Sequence, residues 1–109
     1  MNFHLDGNIA VVTFSNHVEN EFLHFLEVIY SKIKNKNIIL NFNYYILKAD
    51  FLNKITDFAV SHQKLSLSFV IVSLQLTPES VPELLVCAPT LKEAKDLIEM
   101  DVMQRDLEL

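Results

Sequence analysis

Three side chains near the start of the chain have a spacing that could hold a metal. His17, Glu21 and His24 stand at i, i+4 and i+7, which on a helix places them on one face within about 60°. Imidazole and carboxylate are legitimate zinc ligands at such spacing. The same geometry sets them opposite the helix's apolar stripe, in solvent, with no neighbouring group to orient the imidazoles. They read as a solvated polar face, and no metal is expected. His62 differs, because it falls along an apolar stripe, where a lone histidine is usually held by a hydrogen bond to one ring nitrogen. Asp96 and Glu99 lie on the outer face of a last helix without a cleft, so they do not point to general acid–base work. Cys87, the only cysteine, sits inside an apolar run and reads as an inert core thiol. No serine stands in a nucleophile-elbow context. The single glycine excludes phosphate cradles and dinucleotide turns, which need several. A non-enzyme without a cofactor is expected.

The elements that must position these side chains belong to a chain of 109 residues, which predicts one domain spanning 1–109. Half of the residues are apolar and 21% are charged, an ordinary globular balance. Net charge is −5 and the nine basic residues are spread thinly, against the clustered Lys and Arg that neutralise phosphates. The three lysines from Lys32 to Lys36 fall at a helix end, where they complement the dipole. Nucleic acid is therefore not an expected partner. No apolar run approaches the ~20 residues that span a bilayer, so no membrane partner is expected. The start, Met1 to Asp6, shows neither a basic n-region nor an apolar h-region. One cysteine fits a reducing compartment, and the expected location is the cytoplasm.

Asp6-Gly7 is a strong hairpin signal between the apolar runs Phe3–Leu5 and Ile9–Phe14. Phe22, Phe25, Leu26, Ile29, Tyr30 and Ile33 recur at helical spacing, with Ser15 and Asn16 as candidate caps ahead of them. Ile38–Phe42 is a short apolar run typical of a strand buried on both faces. A second helical stripe runs through Phe51, Leu52, Ile55, Phe58, Ala59, His62 and Leu65. Phe69–Leu74 is the next buried strand. Thr77-Pro78 predicts one short helical turn, and Leu84–Ala88 a further strand. Thr90-Leu91-Lys92-Glu93 is a capping box opening a last helix with Leu91, Ala94, Leu97, Ile98 and Val102 inward. The order β-β-α-β-α-β-(α)-β-α predicts an α/β fold with a four- to five-stranded mixed sheet entered through an antiparallel hairpin. Ile38–Phe42 and Phe69–Val72 are expected to be central and adjacent.

From about Ile9 to Ile98 the chain resembles the STAS domain, the fold of bacterial anti-sigma factor antagonists. Asn37-Ile38-Ile39-Leu40-Asn41-Phe42-Asn43 is similar to that family's central strand, an apolar run commonly ending in Asp-Leu-Ser. Phe69-Val70-Ile71-Val72 is similar to its later buried strand, and Pro89-Thr90-Leu91-Lys92-Glu93-Ala94 to the opening of its final helix. The tail, with Ile98-Glu99 followed by Arg105-Asp106-Leu107, resembles STAS-like proteins of the Bacteroidetes. Family members that act as phospho-switches carry Asp-Ser-Ser-Gly at the start of the second long helix. The corresponding stretch here, Leu47-Lys48-Ala49-Asp50-Phe51-Leu52, holds no hydroxyl at Lys48, Ala49 or Asp50. Asp50 would supply a permanent negative charge there, and its plainer role is to cap the helix.

The resemblance implies a non-catalytic protein–protein interaction module, STAS-like and regulatory, without the switch serine. The expected contact surface is the segment holding Tyr44, Tyr45, Ile46, Lys48 and Asp50, whose bulky side chains are the anchors interfaces use. Tucking of these residues under the second helix is the competing reading. The implied partner is another protein, such as a regulatory kinase, an anti-sigma-like factor or an enzyme encoded nearby. Alternatives are an accessory or structural subunit of an enzyme, or a homodimer formed through the sheet edge or last helix. An enzyme of the kind labelled ribonuclease Z is disfavoured, because its His-x-His-x-Asp-His metal cluster has no counterpart here.

Overall fold

The computed structural model describes residues 2–14 and 19–107. The elements are β1 (Asn2–Asp6), β2 (Ile9–Thr13), α1 (Glu19–Ile33), β3 (Asn37–Asn43), α2 (Ala49–Gln63), β4 (Phe69–Ser73), a 3₁₀ turn (Pro78–Ser80), β5 (Val86–Ala88) and α3 (Leu91–Leu107). They form an α/β fold with one five-stranded mixed sheet in the order β1-β2-β3-β4-β5. β1 pairs antiparallel with β2, and every later pairing is parallel. β3 and β4 are central and adjacent, as strands apolar on both faces require. Among the described residues no helix is long and apolar enough to cross a membrane.

Period-two alternation along the strands sorts the core into two layers. Ala10, Val12, Ile38, Leu40, Phe42, Phe69 and Ile71 face α1 and α2, where Phe22, Leu26, Ile33, Phe51 and Ile55 are buried. Ile9, Val11, Ile39, Val70, Val72 and Ala88 face α3, which buries Ala94 and Ile98 against them. Leu91, Leu97 and Val102 pack beside those two, so the inward face of α3 is the expected one. Leu65, expected on the buried stripe of α2, lies past that helix and is exposed.

Turn chemistry moves two boundaries. Asp6 pairs with Ile9, so the hairpin loop is Gly7-Asn8 rather than a turn centred on Asp6-Gly7. Gly7 has φ 60°, the backbone a type II′ turn demands at its first central position. The turn is braced from β3: the Asn37 N–H donates to the Asn8 carbonyl at 2.9 Å, and Lys36 Nζ donates to the Gly7 carbonyl at 3.1 Å. β5 begins only at Val86, because the Leu85 N–H bonds back to the Pro82 carbonyl at 2.9 Å and closes a turn. Thr77-Pro78 opens the expected single turn, which is 3₁₀, with the Thr77 N–H donating to Ser80 Oγ at 2.9 Å. The candidate caps Ser15 and Asn16 lie outside the described residues.

Candidate interaction site

β3 does not end cleanly. Its register against β4 shifts between Asn41 and Asn43, and Asn43 takes a left-handed φ of 53°. Asparagine tolerates that backbone, and the Asn43 N–H donates to Asn41 Oδ1 at 3.2 Å. A strand irregularity of this kind redirects the side chains that follow it. The chain leaves the carboxyl end of the sheet as a short loop leading to α2.

Two residues pin that loop. The Tyr45 ring lies 4.6 Å from the Phe14 ring, and its hydroxyl donates to the Glu19 carboxylate at 2.9 Å. Burial, and after it Glu19, hold the Tyr45 hydroxyl above its ordinary pKa. The Tyr45 N–H donates to the Phe42 carbonyl at 3.0 Å. Leu47 is buried in the core under α2. Between and beside these anchors Tyr44 is 72% exposed and Ile46 69%. Of the five residues read from the sequence as a contact surface, four (Tyr44, Ile46, Lys48 and Asp50) are exposed. Tyr45 is instead the half-buried latch that fixes them.

Lys48 occupies the N-cap of α2 with φ −85° and ψ 157°, and its side chain makes no capping bond. Asp50, expected to cap, falls in the first helical turn, where its negative charge suits the dipole. Lysine is among the poorer choices at this position, since Ser, Thr, Asp or Asn would satisfy an orphan amide. A hollow of about 220 Å³ lies beside the loop, lined by Asn41, Asn43, Tyr44, Leu74 and Leu91 among others.

No protein-family model and no curated protein matches this chain.

The remaining candidates from the sequence do not assemble into a reactive centre among the described residues. His17 lies outside them, while Glu21 and His24 are exposed on α1. Among the described residues no three His, Cys, Asp or Glu side chains are grouped to hold a metal ion. Asp96 pairs with Lys92 at 3.5 Å in the open, and Glu99 faces solvent. Cys87 is half-buried, and burial followed by the nearby Glu79 pushes its thiol up, away from the thiolate a nucleophile needs. His62 is fully buried, and both ring nitrogens are bonded rather than the one expected: Nε2 to the Lys36 carbonyl and Nδ1 to the Tyr30 hydroxyl, each at 2.8 Å. A carbonyl only accepts, so Nε2 carries the proton and Nδ1 accepts from Tyr30.

One polar cluster escaped sequence reasoning. Asn37 is buried ahead of β3's apolar run, and its Oδ1 accepts from the Ser68 N–H at 2.8 Å and from Arg105 Nη2 at 3.4 Å. Ser68 Oγ donates to Asp101 at 3.0 Å and accepts from Arg105 Nη1 at 3.3 Å. The only arginine thus ties the last turns of α3 to the amino ends of β3 and β4. Among the described residues no buried side-chain N or O atom lacks a partner, so the cluster reads as a clamp. Its signal was available: a polar residue directly before each of the apolar runs Ile38–Leu40 and Phe69–Val72.

Proposed function

We propose that this chain is a non-catalytic, STAS-like protein-binding module of the bacterial cytoplasm that meets its partner through the loop between β3 and α2. The observation that carries the reading is the pair Tyr44 and Ile46, large apolar side chains held in solvent by a loop that Tyr45 and Leu47 anchor. A pinned loop loses little conformational freedom on binding, so its exposed anchors contribute more of their contact energy to affinity. Lys48 supports the same surface, because its side chain makes no cap at the helix end beside those anchors. Local rules tend to be broken where function competes with stability. The order of elements and the hairpin opening support the STAS resemblance. Without a hydroxyl at Lys48, Ala49 or Asp50, the module is read as constitutive, with no serine switch at that place.

The test begins with tagged capture from the native host, followed by titration of the isolated partner, a regulatory kinase or anti-sigma-like factor being the favoured class. Tyr44→Ala and Ile46→Ala are each expected to weaken binding by about tenfold or more, with melting temperatures close to wild type. Asp50→Asn keeps the side chain's shape and isolates the role of its charge. Tyr45→Ala serves as the structural control, expected to lower stability by roughly 2 kcal/mol as a half-buried aromatic. Unchanged affinity in folded Tyr44 and Ile46 variants would sink the proposal.

A further inference from the structure

β5 is the last strand of the sheet, and among the described residues no strand lies on its outer side. An edge of this kind presents unpaired backbone N–H and C=O groups. Above it, α3 overhangs the sheet and leaves an apolar groove of about 250 Å³ lined by Cys87, Ala88, Pro89, Leu97 and Met100. The apolar surface continues beside the strand, where Leu84 is 63% exposed and Val86 41%. Charge around this edge is mainly acidic. Glu93 and Asp96 line the groove, Glu79 acts on Cys87 from the turn before the strand, and Glu83 is exposed beside Leu84. Of the cations near it, Lys92 pairs with Asp96, and Arg105 lines a separate hollow with Val86 and Asp101, where Ser68 and Asn37 hold it.

We propose that the β5 edge is a docking strip for an extended partner segment that alternates apolar residues with Lys or Arg. A strand added there exchanges backbone hydrogen bonds with β5, while every second side chain enters the groove under α3. The intervening side chains turn to the opposite face of the sheet, the side on which Glu79 acts on Cys87, while Glu93 and Asp96 in the groove wall attract the same cations at longer range, so charge complementarity selects a basic segment. The same acids select against a second copy of this chain, because pairing two β5 edges would set like charges against each other. β5 has only three residues, so the added strand is held briefly and the contact is a transient one.

The test uses the full chain and a fluorescein-labelled peptide of about eight residues, a strand's length, alternating lysine and valine. Saturable binding is expected, with amide shifts in NMR spectra centred on Val86, Cys87 and Ala88. Glu93→Lys combined with Asp96→Lys is expected to weaken it about tenfold. Methylating alternate backbone nitrogens of the peptide removes donors but no charge, and is expected to weaken it as much. Replacing the peptide's lysines with glutamate should abolish binding. Equal affinity for the methylated peptide would mean that charge alone holds it, and would overturn strand addition. Shifts confined to surfaces away from β5 would do the same. So would concentration-dependent dimers in which β5 is covered by a second copy. If the charge-reversed chain fails to fold, the methylated peptide still decides the outcome.

Discussion

His62 is a polar group at the bottom of an apolar layer, with both ring nitrogens bonded and the ring packed edge-on to Tyr30 and Phe69. Burial lowers its pKa below the ordinary 6.5, although the Lys36 carbonyl pulls the other way. The unfolded chain takes up a proton near 6.5, and the folded chain only at lower pH. Folding therefore holds fewer protons in that window, and stability must rise with pH across it. The contribution is complete above 6.5 and is lost as pH falls through the folded value. The melting temperature is expected to drop between about pH 7.5 and about pH 5.5, and His62→Gln should flatten that slope even if its overall stability is lower. An equally steep slope in the variant would place the titration elsewhere. The sequence marked His62 as inward-facing but could not supply Tyr30 and Lys36, which reach it from α1 and the turn after it. Adjacent tyrosines pose a related problem. Tyr44 and Tyr45 are equivalent by composition, and the left-handed Asn43 before them, with the Phe14 and Glu19 contacts of Tyr45, separates the exposed ring from the held one.

Helices and central strands were legible because a periodic apolar stripe spans many residues, and no local irregularity can shift it far. Phe51, Leu52, Ile55 and Ala59 are buried where the helical repeat places them, and β3 and β4 lie where runs apolar on both faces must lie. Element ends obey a different physics, a single hydrogen bond or one φ angle. The Leu85 to Pro82 bond shortens β5 to three residues, and the Asn37 to Asn8 bond fixes which residues form the hairpin loop. Capping shows the same limit. Thr90 caps α3, its Oγ1 accepting from the Glu93 N–H at 3.2 Å, but the Glu93 carboxylate does not return the bond, so half of the expected capping box forms. At α2 the acidic residue was the natural choice, yet the cap falls on Lys48. Because Lys48 already has the extended backbone of an N-cap, Lys48→Ser should gain the missing bond without rearrangement. A rise of about 0.5–1 kcal/mol in unfolding free energy is expected from chemical denaturation. Its absence would show that the loop cannot present a capping oxygen.

Across the whole molecule, stability should be graded from the middle of the sheet outward. β3 and β4 have neighbours on both edges and cover on both faces, whereas β1 and β5 each have one neighbour. Amides of Ile39, Leu40, Val70 and Ile71 are expected to exchange with solvent only through global unfolding, and those of β1 and β5 through smaller openings. Native-state hydrogen exchange resolved by residue checks this, and faster exchange in β4 than in β1 would contradict it. Strand order in space also follows strand order along the chain. Each parallel pair closes across a single intervening helix or turn, so the loop-closure entropy of each step is small and the mean separation of contacting residues is low for a mixed sheet. A chain of this topology can assemble as it leaves the ribosome, each strand finding its neighbour already in place. Only α3 breaks that progression, since Lys95 reaches across 89 residues to bond Asp6 at 2.8 Å. Until α3 emerges, the face holding Ile39, Val70 and Val72 stays open to solvent, so a nascent chain stalled between β5 and α3 presents an uncovered apolar surface.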